Sequence, residues 1–137
     1  MKFTPRQPSR VFRTGYGPFV DLSDCGQMQL EADEQITFIT DGGAELDVVR
    51  KSWGYYGTPS LNSRLVSFGL RTALAKSRLN RYFVLIVEAG KEEEFFRYLE
   101  TEDMPFIGWL DNEKALGAVE AALKKSNSND QNDAAGL

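Results

Sequence analysis

The side chains best suited to ligand binding lie close together between residues 50 and 64. This stretch combines cationic side chains with aromatic, hydroxyl and amide groups, and its glycines let a ligand approach the backbone. Arginine pairs well with phosphate or carboxylate, and aromatic rings stack on nucleobases or sugar faces. We therefore predict a site for an anionic small molecule, such as a phosphorylated metabolite, a nucleotide or a nucleotide-sugar. The predicted site residues are Arg50, Lys51, Trp53, Tyr55, Tyr56, Thr58, Ser60, Asn62 and Arg64.

Two alternative functions use the same part of the chain. The aromatic side chains also suit a structural cover, or a homodimer interface that buries Trp53, Tyr55, Tyr56 and Trp109. The acidic segment 88–120 of one subunit would then face the basic segment 48–87 of the other. Nucleic acid is a further alternative, because segment 48–87 interleaves basic and aromatic residues. The net charge of −4 and the lack of a nucleic-acid-binding motif make it the less favoured partner.

Charge is strongly segregated along the chain. Residues 31–47 hold six acids and no base, residues 48–87 hold seven bases and no acid, and residues 88–120 carry a net charge of −7. Forty residues without a carboxylate are unusual in a chain of which 26% is charged. The basic segment indicates either an anion-binding face or bases that pair with neighbouring acidic elements of the same fold.

The composition excludes several kinds of chemistry. The 137 residues include no histidine and a single cysteine, Cys25. Histidine-dependent triads, a histidine general base and imidazole metal sites are therefore excluded, as is a scaffold built on disulfides. Neither a P-loop nor a dinucleotide-binding glycine motif occurs. We predict no cofactor and no metal, and the sequence favours a binding protein over an enzyme.

The elements that must position the site begin with a hairpin. Strands are predicted over 27–31, 35–40 and 45–51, and the last two are joined by a turn at Asp41-Gly42-Gly43. Residues 52–64 are predicted to be irregular at first. A short helix then begins at Thr58-Pro59, where Thr58 is the cap and Pro59 the first helical residue, and it ends at Gly69.

The C-terminal half alternates strands and helices. Strands 70–76 and 81–88 form an antiparallel hairpin, and the apolar run 83–87 predicts a central strand covered on both faces. Helix 91–102 then leads to strand 105–110, parallel to strand 81–88, and to a last helix, 113–125. The predicted fold class is α+β, in which antiparallel hairpins continue into a mixed sheet. A C-terminal β-α-β-α segment packs two helices on that sheet.

The chain is predicted to have one domain with two appendages. Residues 1–17 form a loose basic N-terminal arm, residues 18–125 a single α+β domain, and residues 126–137 a disordered polar tail. The longest apolar run, 83–87, is far shorter than the about 20 residues of a membrane span, so no membrane partner is expected. We predict a cytoplasmic protein. The basic, acid-free start is typical of transit peptides, but Pro5, Pro8 and Pro18 interrupt an amphipathic helix, so organelle import is the weaker alternative.

Overall fold

The computed structural model describes residues 1–15, 19–57 and 60–134, with the backbone alone over 130–134. Within these ranges the chain forms eight strands and three helices. In chain order they are β1 (Lys2–Thr14), β2 (Val20–Gln29), β3 (Gln35–Ile39), β4 (Glu45–Lys51), β5 (Gly54–Gly57), α1 (Arg64–Ser67), β6 (Leu70–Lys76), β7 (Tyr82–Glu88), α2 (Glu92–Thr101), β8 (Phe106–Trp109) and α3 (Glu113–Ala134). No helix in the described part of the chain is long and apolar enough to cross a membrane.

The strands form three antiparallel sheets, and the α+β class is confirmed. Strands β1 and β2 make a two-stranded hairpin, β3-β4-β5 make a second sheet, and β7-β6-β8 make a third. Helix α2 packs on β7 through buried Leu99. The turn between β3 and β4 falls where it was predicted, with Gly43 at a φ of +87°.

The two three-stranded sheets join at a small buried cluster. Ala44, Leu65 and Leu70 are buried there, and Leu46 packs against them. Backbone hydrogen bonds reinforce the junction: the Glu45 N–H donates to the Phe68 carbonyl at 3.1 Å. Glycine at position 69, with a φ of +86°, ends α1 and starts the turn into β6, as the sequence predicted.

Strand β6, rather than β7, is the centre of the third sheet. Ala73 and Ala75 of β6 are 0% exposed, whereas Val84 and Ile86 of β7 are exposed. The prediction of a central strand at 81–88 is therefore wrong, because β8 pairs with the far edge of β6. Strands β7 and β8 run parallel to each other, but β6 separates them. The sequence predicted a mixed sheet here, but both strand pairings described in this sheet are antiparallel.

The N-terminal segment predicted as a loose arm forms strand β1. Its register with β2 runs from Lys2 opposite Gln29 to Thr14 opposite Val20, so β2 begins well before the predicted strand 27–31. Opposite charges stabilise the pairing: Arg13 Nε donates to Asp21 Oδ1 at 3.0 Å. Pro5 and Pro8, which would interrupt a helix, are tolerated in β1 because each strand of a two-stranded sheet is an edge strand. Residues 16–18, which include the end of the predicted arm, lie outside the described residues.

Helix α3 extends into the segment predicted as a disordered tail. Its first turn is capped by Asn112, whose Oδ1 accepts the Ala115 N–H at 2.9 Å. The helix then continues to Ala134, because each added residue forms a backbone hydrogen bond once the first turn exists. Residues 135–137 lie outside the described part of the chain. The single domain over 18–125 stays a prediction.

Candidate functional site

The first half of the predicted site is a hairpin rather than an irregular loop. Strand β5 pairs with β4, so that Arg50 lies opposite Tyr55 and Lys51 lies opposite Gly54. Gly54 has a φ of +147°, which closes the turn tightly, and the two tyrosines that follow favour strand. The turn itself is formed by Ser52 and Trp53, and the two glycines that predicted irregular backbone instead begin and end β5.

Arg50 and Tyr55 lie on one face of the hairpin. The Arg50 guanidinium carbon is 5.5 Å from the centroid of the Tyr55 ring, a cation–π contact. Arg50 Nη1 is buried and has no hydrogen-bond partner among the described residues. A guanidinium has five N–H donors, and those of Arg50 Nη1 are left without an acceptor among the described residues although the atom is shielded from solvent.

Lys51, Trp53 and Tyr56 belong to the opposite face. Lys51 Nζ donates to the Asp33 carboxylate, and this hydrogen bond raises the pKa of Lys51. The Trp53 and Tyr56 rings stack with centroids 6.5 Å apart, and Trp53 is 70% exposed. Because strand side chains alternate between faces, these residues cannot share one pocket with Arg50. The predicted site is split in two by the strand that carries it.

The second half of the predicted site lies around α1. Ser60 Oγ accepts the Arg64 N–H at 2.7 Å, and the Arg64 guanidinium lies 5.2 Å from the centroid of the Phe68 ring. Asn62 is exposed. Helix α1 is only four residues long and starts later than predicted, at Arg64. Thr58 and Pro59, the predicted helix start, lie outside the described residues.

The basic segment 48–87 is largely neutralised or stacked within the fold. Three of its cations form ion pairs, namely Lys51 with Asp33, Arg71 with Glu92 and Asp111, and Arg78 with Asp103. Three others lie over aromatic rings: Arg50 over Tyr55, Arg64 over Phe68 and Lys76 over Tyr82. The segregation of charge along the sequence therefore reflects, in part, pairing between elements that fold together.

Arg71 is the most highly connected of these cations, and no predicted site includes it. Its Nε donates to Asp111 Oδ2 at 2.6 Å, and its Nη1 donates to Glu92 Oε2 at 3.2 Å. The hydrogen bond from Arg71 lowers the pKa of Asp111. The pKa of Glu92 is also lowered, mainly by backbone N–H groups at its own position and at Gly90, with a smaller effect from Arg71. Glu92 at the start of α2 and Asp111 just before α3 are the acids whose positions in the sequence could have indicated this cluster.

Trp109, which the homodimer prediction placed at the interface, packs against this cluster within the chain. Trp109 is half-buried, and its ring contacts the rings of Phe95, Phe96 and Phe106 at centroid distances of 5.3–6.0 Å. Arg71 covers it from another side. Trp109 therefore belongs to the packing of α2 on the third sheet, whereas Trp53, Tyr55 and Tyr56 are exposed.

An apolar groove between the second and third sheets is a feature that the sequence analysis missed. We define it by Phe38, Leu46, Leu70 and Ile86, which line a cleft of about 190 Å³ together with neighbouring residues of β3 and β4. Phe38 is 55% exposed. Register places Val84 and Tyr82 on the same face of the third sheet as Ile86, so the apolar surface continues along β7. The apolar run 83–87 was the sequence signal for this surface, but the sequence predicted that the strand would be covered on both faces.

Two features thus lack an explanation in the packing of the described residues: the apolar groove at the surface, and the buried, unpartnered Nη1 of Arg50 beside Tyr55. The arrangement can bind an apolar partner surface at the first and an anionic group at the second. The chain matches no protein-family model, no curated protein and no solved structure.

Proposed function

We propose that this chain is a non-enzymatic interaction protein that associates with a second copy of itself. The observation that carries the proposal is its surface area. The chain exposes 10090 Å² at a mass of 15.4 kDa. A compact monomer of that mass exposes about 7200 Å². The excess of roughly 2900 Å² per chain reflects in part elements that project from the sheets, because the β1–β2 hairpin and α3 make few contacts with other elements. A permanent subunit interface, which buries about 1000–2500 Å² per partner, would cover much of it.

The chemistry of the surface supports the same proposal. The buried apolar residues of the described chain are few and mostly small or aliphatic; they are Leu30, Ala44, Leu65, Leu70, Ala73, Ala75, Val87 and Leu99. Larger side chains such as Phe38, Tyr82 and Val84 are exposed, and the last two share one face of the third sheet with Ile86 of the groove. Monomers rarely expose contiguous apolar patches of this kind, and a second subunit would remove them from water.

Sedimentation equilibrium of the full chain over the micromolar range tests the proposal. We expect a species of twice 15.4 kDa that persists in high salt, because apolar burial is insensitive to screening. A single 15.4 kDa species throughout that range would overturn the proposal.

A second candidate function is the binding of an anionic small molecule at the hairpin of β4 and β5, and we propose Arg50 as its main contact. The supporting observation is the guanidinium of Arg50, which stacks on Tyr55 and has an unpartnered Nη1 among the described residues. Ion pairs at Lys51, Arg71 and Arg78 leave little continuous positive surface, which favours a small ligand over nucleic acid.

Thermal-shift assays with a nucleotide, a nucleotide-sugar and a sugar phosphate test this second candidate. We expect at least one to stabilise the protein, and Arg50→Ala to weaken its binding by about tenfold or more. Lys51→Ala is the matched control, because Asp33 already neutralises Lys51 on the opposite face. No stabilisation by any of the three, or an equal loss in both variants, would reject the site. Binding of an oligonucleotide alone would favour the nucleic-acid alternative.

We also propose a cytoplasmic location. It is supported by Cys25, which is a free and exposed thiol. Exposed thiols persist in reducing compartments. Fractionation of cells that express the full chain tests this location, and recovery in an organelle fraction would contradict it.

A further inference from the structure

We infer that helix α3 of one copy occupies the apolar groove of a second copy, and that the exchange is reciprocal. This inference rests on the proposed self-association and names the surfaces that form it. One is the groove of Phe38, Leu46, Leu70 and Ile86. The other is the stripe of Leu116, Val119 and Leu123 on α3.

The α3 stripe has the spacing of a docking helix. Val119 lies three residues and Leu123 seven residues after Leu116, which places all three on one side of an α-helix. Only the first turn is partly covered in this structure: Ala115 and Leu116 are half-buried, and every residue over 117–129 is exposed. Leu123 is 57% exposed. Val119 and Leu123 of the stripe therefore have no covering partner within the described part of the chain, whereas Leu116 is partly covered.

Helix α3 also needs a partner for its own stability. It contains Gly117 and a Ser-Asn-Ser-Asn run at 126–129, all of which have lower helix propensity than alanine. Isolated helices are marginal in water, and most helical stability in proteins comes from the packing of an apolar face. A surface that covers the stripe would stabilise the helix that carries it.

The apolar groove has the shape and chemistry for such a helix. It lies at the junction of two sheets, so its walls come from different strands and form a concave surface. Amphipathic helices dock in grooves of this type through side chains at the spacing of the α3 stripe.

A second copy is the occupant because both surfaces belong to one chain and neither covers the other. In a two-fold dimer, any contact of α3 with the neighbouring groove occurs twice, so the assembly closes without leaving a free groove. The excess surface of roughly 2900 Å² per chain exceeds the about 800 Å² per partner of a standard interface. Reciprocal exchange therefore has enough surface to form a stable dimer.

Charge substitutions on α3 test the inference in the full chain. We expect Val119→Glu with Leu123→Glu to weaken dimerisation roughly tenfold or more, because carboxylates would enter an apolar groove. Ala118→Glu with Ala121→Glu is the matched control, since these positions lie on the opposite side of the same helix. The control variant should remain dimeric, and circular dichroism should show the native helix content in both.

The outcomes separate this inference from the proposed function. If the unsubstituted chain is monomeric, both the proposed self-association and the docking of α3 are wrong. A native dimer that survives the stripe substitutions keeps the self-association and overturns the role of α3. Equal loss of the dimer in the stripe and control variants also overturns it, because the apolar side of α3 would then have no special importance.

Disulfide trapping provides a second measurement that does not depend on the stability of the charge variants. Chains with Cys25→Ser and Leu123→Cys are mixed with chains that carry Cys25→Ser and Ile86→Cys, then oxidised mildly. We expect a disulfide between unlike chains, and much less of it when Ala121→Cys replaces Leu123→Cys. Equal trapping at positions 121 and 123, or none at 123, would overturn the inference.

Discussion

The guanidinium carbon of Arg71 lies 3.8 Å from the centroid of the Trp109 ring. This contact joins the central strand β6 to the end of β8, and the same guanidinium reaches Glu92 at the start of α2 and Asp111 just before α3. One side chain therefore links two strands of the third sheet, β6 and β8, with the starts of α2 and α3. Arginine suits this role because its planar group can stack on an indole ring while its edge donates hydrogen bonds.

Arg71→Ala should lower the free energy of unfolding by about 2–3 kcal/mol, because it leaves two carboxylates without their shared donor. The Asp111 side chain is only 9% exposed, so water cannot fully replace the lost hydrogen bond. Urea unfolding measures the effect. Arg81→Ala, at an exposed position in the turn between β6 and β7, should change stability by less than about 0.5 kcal/mol. Similar losses in both variants would show that the Arg71 cluster contributes nothing specific.

Acid should destabilise the protein through Asp111. Its pKa in the folded protein is lowered by Arg71, so its ionised form stabilises the fold above the unfolded pKa of about 3.9. That contribution is lost as the pH falls from this value through the lower folded pKa. The lowered pKa of Glu92 acts in the same direction. Urea unfolding at a series of acidic pH values should show a flatter pH dependence for Asp111→Asn than for the exposed control Asp103→Asn.

Thr72→Val should leave stability unchanged or raise it by up to about 1 kcal/mol. Thr72 is 1% exposed, and its Oγ1 has no hydrogen-bond partner among the described residues. Valine has nearly the same shape and removes the buried hydroxyl, while the Thr72 carbonyl still accepts the Leu110 N–H. Thr72→Ala removes the hydroxyl and also leaves a cavity, so it should be destabilising. A clear loss for Thr72→Val in calorimetry would indicate that the hydroxyl has a partner.

Gly69→Ala should cost more than Gly43→Ala, although both residues have nearly the same backbone conformation. Their φ values are +86° and +87°, so each substitution has a conformational cost of about 1–2 kcal/mol. A Cβ at position 69 would also lie 3.3 Å from the Ala44 Cβ, whereas one at position 43 meets nothing within 4 Å. Thermal unfolding of the two variants separates the two effects. Equal melting temperatures would mean that the junction of the sheets tolerates the added methyl group.

Much of the local structure followed from the sequence. The strands predicted at 45–51 and 70–76 coincide with β4 and β6, and helix 91–102 is within one residue of α2 at both ends. These elements are specified by short-range signals: the alternation of side chains, the glycines of turns and the acids of a first helical turn. The site was less predictable, because strand pairing at the β4–β5 turn separates Arg50 from Lys51 and Trp53.

The sequence alone determined that this chain is an α+β protein without histidine chemistry, with a basic middle segment between two acidic ones. Tertiary structure decided how those features are used. Strand β8 pairs with β6, which makes β7 an edge strand, and no described element covers the face of β7 that carries Tyr82, Val84 and Ile86. Folding also pairs Arg71 with acids 21 and 40 residues away, while Arg50 keeps an unpartnered donor within the described residues. The physical reason is that strand pairing and ion pairing join distant residues, whereas sequence patterns report only on neighbours.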